Sequence, residues 1–178
     1  KDSPMRVLHS LILLLTLVAP AAFADGLYQV EMILFRQIGQ PATTNQPSPE
    51  AWAAGAQKIS SENERSPALT GMASKLEASG NYNVLLHRAW QQNLSADPSK
   101  MAVSSGQEQF GHFPIEGTVT LSLARFTDIT ADFWVNQLDA YGVVRTSERM
   151  TQTTRVKNGE LTYMDNGSLA MLIKVSPL

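Results

Sequence analysis

The chain has 178 residues, 14 basic and 16 acidic side chains, a formal net charge of -2 and no cysteine. The lack of cysteine excludes disulfide bonds and thiolate metal sites, so a small disulfide-stapled module is not expected. The charge also lacks the basic excess that is typical of nucleic-acid-binding proteins, and we expect no nucleic-acid partner.

The first predicted element is a secretory signal peptide over residues 5–24. A basic residue precedes an apolar run over residues 7–18, and small residues close the segment. The alternative is a membrane anchor, but the run is shorter than the about 20 apolar residues of a spanning helix. We predict cleavage between Ala24 and Asp25, so that residues 1–24 are removed.

Residues 25–178 would remain after cleavage, enough for a single domain with a substantial core. No cysteine follows the apolar run, so we expect no lipid attachment and no membrane insertion of the mature protein. The predicted location is therefore outside the cytoplasm, as for an envelope or secreted protein.

The mature chain opens with a predicted central strand at residues 28–36, where apolar side chains alternate. Residues 37–65 then lack any sustained period and are rich in Gln, Pro, Asn and Ser, which predicts a mobile polar loop. Trp52 is the one aromatic residue of this loop. We interpret it as a docking point on the body of the protein, with a ligand platform as the alternative.

A helix is predicted next, with Ser66 as its N-cap and Pro67 at its first position. Gly80 is expected to end it. The strand that follows is predicted over residues 82–91. The side chains expected on one side of that strand are Tyr82, Val84, Leu86 and Trp90.

Residues 93–111 are predicted to form a second polar loop. The later strands are predicted at residues 115–125, 129–136, 141–157 and 169–175. Residues 160–165 between the last two strands are interpreted as a helical turn. Short connections between the later strands favour antiparallel pairing.

The predicted fold class is α+β, with a mostly antiparallel sheet covered by one main helix. The opening strand–helix–strand unit is compatible with a ferredoxin-like core with an inserted hairpin.

Sequence signatures of catalysis are absent. The nucleophile motifs of penicillin-binding proteins, β-lactamases and α/β-hydrolases do not occur, nor does a Gly-rich phosphate loop. After signal cleavage only His87 and His112 remain as histidines, without the spacing of a metal site. We expect no enzyme, no cofactor and no metal. A hydrolase with a carboxylate pair of no recognisable spacing is the alternative.

Several segments together resemble one family, the CsiV peptidoglycan-binding proteins of Gram-negative bacteria. The resemblance spans nearly the whole mature chain and keeps the order of the family's blocks. The matching segments are residues 28–36, 85–92, 115–126, 132–134, 159–165 and 172–177.

This resemblance implies a non-enzymatic periplasmic protein that binds peptidoglycan. It further implies a role in cell-wall synthesis by a bifunctional penicillin-binding protein, exerted through the outer-membrane lipoprotein activator of that enzyme. Two alternatives stay open: a protein-only adaptor that uses a sheet edge, and an unrecognised wall hydrolase.

A peptidoglycan binder needs aromatic rings to cover sugars and basic groups to pair the carboxylates of stem peptides. On a continuous strand over residues 143–157, the basic residues share one face and form a basic ladder of Arg145, Arg149, Arg155 and Lys157. Solvation of that face is the alternative. The candidate binding residues are Arg145, Arg149, Arg155, Trp134, Tyr163 and His87.

The other candidates have structural alternatives too. Trp134 is out of phase with its apolar neighbours, so it is expected on the face opposite the core, beside Asp132 and Thr130. It could cover a sugar or pack beneath a loop. His87 is interpreted as a hydrogen-bonded structural residue or a ligand contact, and Tyr163 as an anchor with a satisfied hydroxyl or a binding aromatic.

Overall fold

The computed structural model describes residues 25–42 and 45–178, so the predicted signal peptide lies outside the described chain. The described residues form ten strands and one helix. In chain order the elements are β1 (Gly26–Gln37), β2 (Gln57–Lys58), β3 (Glu64–Arg65), α1 (Thr70–Ala78), β4 (Tyr82–Leu94), β5 (Ser99–Ser105), β6 (Ile115–Leu123), β7 (Thr127–Leu138), β8 (Val144–Val156), β9 (Leu161–Asp165) and β10 (Leu169–Pro177). No helix in this part of the chain is long and apolar enough to cross a membrane.

The strands form two five-stranded sheets. The first has the order β3-β4-β1-β10-β9, and the second has the order β2-β5-β6-β7-β8. Pairing is antiparallel except between β2 and β5. The predicted antiparallel character is therefore confirmed, whereas the prediction of one sheet is wrong. Strands β5 to β8 do not extend the first sheet, because packing against it buries the apolar inner faces of both.

The main core lies between the two sheets. Its largest fully buried members include Trp90, Phe133, Met32, Leu121 and Ile129. Gly117 pairs with Phe133 across β6 and β7, and a Cβ atom at Gly117 would stand 2.4 Å from the Phe133 ring. Glycine is required at this position because any side chain would collide with the core.

The helix packs on the outer face of the first sheet. Ala73 is buried there against Ile33 and Phe35 of β1. The predicted N-cap at Ser66 is wrong, because α1 begins at Thr70 with Leu69 in the cap position and no capping side chain of its own. The ferredoxin-like core is not confirmed, because β1 pairs directly and antiparallel with β4, the strand that follows the helix.

A β-bulge in β4 corrects the predicted faces of that strand. The register shifts between the pairs Leu34–Leu86 and Phe35–Val84. Leu86 and Trp90 therefore join the main core, whereas Tyr82 and Val84 pack in the outer cluster with the helix. Strict alternation predicts one face for all four residues, and the extra residue of a bulge reverses it.

Besides the two-residue strands β2 and β3, two strands lie where the sequence predicts none. β5 occupies the predicted second polar loop and buries Met101, Ala102 and Val103. β9 replaces the predicted helical turn and pairs with β10. Both strands are short and flanked by polar residues, so their alternation of apolar and polar side chains is too short to be distinguished from a loop sequence.

The predicted loop over residues 37–65 includes β2 and β3. Between these two strands the chain passes from the second sheet to the first, and Ile59 packs against the main core. Its predicted mobility stays a prediction.

Candidate ligand-binding site

The arginines of the predicted basic ladder lie in β8, and each forms an ion pair with a carboxylate in β7 or just after it. Arg155 contacts Asp128 with Nε–Oδ1 at 2.6 Å, and Arg149 contacts Asp132 at 2.8 Å. Arg145 contacts Asp139 with Nη2–Oδ2 at 2.5 Å. Each arginine thus has a carboxylate partner within the protein, which offsets the positive charge that the sequence alone indicates.

Arg149 and Arg155 lie on the outer face of the second sheet, away from the core. Their pairs with Asp132 and Asp128 are bidentate, since two guanidinium nitrogens reach both carboxylate oxygens. Hydrogen bonding from Arg155 lowers the pKa of Asp128, and its positive charge adds to that effect. Hydrogen bonding to Asp132 raises the pKa of Arg149.

Trp134 occupies the outer face of β7, as its phase predicts, but it is only 5 % exposed. The guanidinium carbon of Arg149 lies 5.1 Å from the centre of its ring. The indole Nε1 has no hydrogen-bond partner among residues 25–42 and 45–178. In this arrangement the ring is covered, so a sugar could stack on it only after Arg149 moves.

His87 lies on the outer face of the first sheet and contacts the buried carboxylate of Glu31, with Nε2–Oε1 at 2.7 Å. The same carboxylate accepts hydrogen bonds from the backbone N–H groups of Ala68 and Leu69, at 3.0 and 2.7 Å. These donors precede α1, which lacks a capping side chain, so Glu31 takes that role from a neighbouring strand. The geometry favours the structural interpretation of His87.

Tyr163 is 52 % exposed at the edge of the first sheet. Partial burial raises the pKa of Tyr163 to about 12, and a hydrogen bond with Asp165 and the charge of that carboxylate add to the effect. The hydroxyl is therefore neutral at physiological pH. Its ring lies 6.4 Å from Phe35, which anchors one side and leaves the other open.

Tyr163 and Arg155 line one surface groove of about 580 Å³ that follows the connection from β8 to β9. Phe126 and Lys157 line it too. The guanidinium of Arg125 lies 5.6 Å from the Phe126 ring centre. We call this feature the β8–β9 groove. It joins two of the six predicted binding residues, while Arg145, Arg149, Trp134 and His87 lie outside it.

A second cleft, of about 650 Å³, lies at the opposite edges of the sheets, where β2 and β3 are found. We call it the Trp52 cleft. Trp52 and Phe113 meet edge to face within it, with ring centres 6.1 Å apart. Arg88 and Glu64, which form an ion pair at 2.5 Å, reach it from the first sheet.

Sequence reasoning missed the Trp52 cleft because its residues come from segments that were predicted as polar loops. The signal in the sequence is Trp52 itself, a single aromatic ring in a long polar stretch. From the sequence we interpret it as a docking point and not as part of a ligand site. Trp52 does dock, since its indole Nε1 donates to the carbonyl of Gly111 at 3.1 Å. The same contact also fixes the ring in the wall of a cleft.

Glu116 anchors one wall of this cleft. It is fully buried on the outer face of β6 and accepts hydrogen bonds from His112 Nδ1, from the backbone N–H of Phe113 and from Asn136 Nδ2, each at 2.8 Å. Ser48, which lies just before Trp52 in the chain, donates to the same carboxylate. Glu116 therefore holds both covering segments of the second sheet through one side chain.

The described residues include no cluster of three or more potential metal ligands among His, Asp and Glu. The two clefts instead combine aromatic rings, hydroxyls and charged groups at the surface. Such sites can bind a polar ligand by stacking and hydrogen bonding.

Comparisons with known proteins give one family. The model of the family described as "Peptidoglycan-binding protein, CsiV" matches residues 7–66 and 54–178, which together cover nearly the whole chain. No curated protein and no solved structure matches the chain. The resemblance to this family that the sequence analysis describes is thus confirmed. The chain belongs to the CsiV family of peptidoglycan-binding proteins.

Proposed function

We propose that this protein is a non-enzymatic, periplasmic peptidoglycan-binding protein, exported through the signal peptide at residues 5–24. In this role residues 25–178 act as one domain. Family membership is the observation that carries the proposal. The absence of nucleophile motifs from the sequence adds support for a binding role.

We further propose that the β8–β9 groove contacts the stem peptides of the wall. Stem peptides carry carboxylates, and the groove offers them the ammonium of Lys157 beside Arg155, whose charge is shared with Asp128. Glu160 lines the same groove. Lys157 makes no ion pair within residues 25–42 and 45–178, so its ammonium is available to a ligand. Tyr163 adds an open aromatic ring beside these charges.

The other candidate residues have secondary roles in this proposal. Arg149 and Trp134 form a packed pair that would contact a ligand only after rearrangement. Arg145 lies at the start of β8 with Asp139, and His87 supports the start of the helix through Glu31. Of the ladder arginines, Arg155 lines the groove, and the ladder as a whole does not form one basic surface.

The partner we propose is the outer-membrane lipoprotein activator of a bifunctional penicillin-binding protein, so that wall binding supports wall synthesis. Family resemblance supports this partner. A protein-only adaptor is the second candidate, because β9 is the edge strand of the first sheet and exposes Leu161 and Tyr163. An edge strand can add a strand from a partner through its backbone groups.

Sedimentation with protein-free, washed cell-wall sacculi tests the proposal. The purified protein should sediment with sacculi at low salt. Replacing Arg155 and Lys157 together with Gln should reduce the retained fraction, and the difference should shrink as salt rises, because exposed charges are screened. Arg145→Gln is the matched control, since Arg145 is an equally exposed, aspartate-paired arginine outside both clefts.

Three outcomes would contradict parts of this proposal. A protein that stays in the supernatant at low salt does not bind the wall directly, and the adaptor role would then be preferred. A loss in Arg145→Gln of half that of the double variant or more would show that general charge, and not the groove, governs retention. Release of soluble muropeptides by the pure protein would indicate an enzyme.

A further inference from the structure

The Trp52 cleft has the features of a carbohydrate-binding site. We infer that it binds the glycan strand of peptidoglycan, while the β8–β9 groove takes the peptide. This inference rests on the proposed function and adds a second site with a different ligand chemistry.

The aromatic wall of the cleft is held in place from two sides. Trp52 is fixed by its hydrogen bond to Gly111 and by its edge-to-face contact with Phe113. Phe113 is fixed in turn by the hydrogen bond from its N–H to Glu116. Both rings are only partly buried, so neither is committed to the main core. A pre-positioned indole can cover the apolar face of a sugar ring without an ordering cost at binding.

The rest of the cleft supplies hydrogen-bonding groups of both kinds. Glu50 and Glu108 line it and make no ion pair within residues 25–42 and 45–178. Lys58 also lines it without such a pair, and hydroxyls come from Ser60, Ser61 and Ser104. Free carboxylates and hydroxyls suit the many O–H and N–H groups of an acetylated sugar.

The balance of charge favours a neutral ligand. The basic groups that line the cleft are Lys58 and Arg88, and Arg88 is paired with Glu64. Glu50 and Glu108 would repel a carboxylate-rich peptide. The volume of about 650 Å³ lies within the roughly 300–1,000 Å³ of small-ligand pockets, which suits a short oligosaccharide.

The test uses the linear tetramer of β-1,4-linked N-acetylglucosamine, a glycan probe that has neither peptide nor carboxylate. Titration calorimetry measures its affinity for the purified protein. Trp52→Ala should weaken this affinity by about tenfold, as expected for the loss of one aromatic contact. Tyr141→Ala is the control, because Tyr141 is 82 % exposed and lines neither cleft.

An NMR titration of the unmodified protein tests the same contact without relying on a variant that could unfold. The tetramer should shift the indole N–H resonance of Trp52 in the unmodified protein, with the resonance assigned through Trp52→Phe. The indole resonance of Trp134, which lies on β7 and lines neither cleft, should stay in place.

The outcomes separate this inference from the proposed function. If sacculi retain the protein while the tetramer neither binds nor shifts Trp52, the glycan site is wrong and wall binding stands. If the tetramer binds equally well to Trp52→Ala and Tyr141→Ala, the site is also wrong. If the tetramer binds through Trp52 while sacculi do not retain the protein, the glycan site stands and the proposed function fails.

Discussion

Glu31 and Glu116 are buried carboxylates on the outer faces of the two sheets. Each accepts a hydrogen bond from a histidine and from the backbone of the segment that covers its sheet. Glu31 binds the residues before the helix, whereas Glu116 binds two loop segments. In both places a charged acceptor inside the sheet holds the segment that covers it.

The two carboxylates differ in what they hold. The segment at Glu31 is a regular helix with an apolar face of its own against β1. The segments at Glu116 have no regular structure around Ser48 and Phe113, and they carry the wall of the Trp52 cleft. The comparison teaches that Glu31 supports the start of a helix, while Glu116 supports the segments that form the Trp52 cleft, the proposed glycan site.

The largest effect is expected for Glu116→Ala. Removing this carboxylate leaves buried donors from His112, Phe113 and Asn136 unsatisfied, which should lower the free energy of unfolding by about 3 kcal/mol. Urea denaturation measures this change. Glu108→Ala is the control and should change stability by less than about 0.5 kcal/mol, because Glu108 is an exposed residue without an ion-pair partner in the described chain.

A smaller loss, of about 2 kcal/mol, is expected for Glu31→Ala. Its backbone donors lie at the start of a helix and can reach water once the carboxylate is gone. Hydrogen exchange should speed up at the amides of α1 and remain slow in the second sheet. Equal affinity for the tetramer in Glu31→Ala and the unmodified protein is also expected. A loss of affinity for the tetramer in Glu31→Ala would show that Glu31, like Glu116, supports the Trp52 cleft.

The smallest effect on stability is expected for Asp139→Asn. This variant tests whether the stabilisation by a hydrogen-bonded carboxylate depends more on its burial or on the groups that donate to it. Asp139 also accepts two backbone hydrogen bonds and contacts an arginine, but it is partly exposed. The hydrogen bond from Val143 N–H lowers the pKa of Asp139 from 3.8, with Tyr141 N–H and Arg145 adding to this.

A lowered folded-state pKa stabilises the protein above pH 3.8, and this stabilisation disappears as pH falls through the folded value. Asp139→Asn should therefore be less stable than the unmodified protein at pH 7, and the two should converge below pH 3.8. Urea denaturation at both pH values measures the difference. A difference that persists at low pH would assign the effect to lost packing and not to charge.

The strands with long, regular periods were predictable from the sequence. The inner faces of β6 and β7 follow strict alternation, and Val119, Leu121, Ile129 and Phe133 all lie in the main core as expected. The pair Asn158 and Gly159 is also a common turn sequence, and Gly159 has a φ of +81° between β8 and β9.

Other features were not predictable because tertiary contacts decide them. The helix start depends on Glu31, a residue more than 30 positions earlier, so a local capping rule placed it wrongly at Ser66. The arginines of β8 look free in the sequence because their partners, such as Asp128 and Asp132, lie on the neighbouring strand. The Trp52 cleft joins segments about 60 residues apart, and no local period reports such a contact.

The position of β1 in the first sheet has a consequence for the order of folding. This strand lies between β4 and β10, and its last partner ends at Pro177, next to the end of the described chain. A chain that emerges with its N-terminus first presents β1 long before β10 exists. One long side of the central strand therefore remains unpaired until almost the whole polypeptide has appeared, and pairing across such a sequence distance is slow.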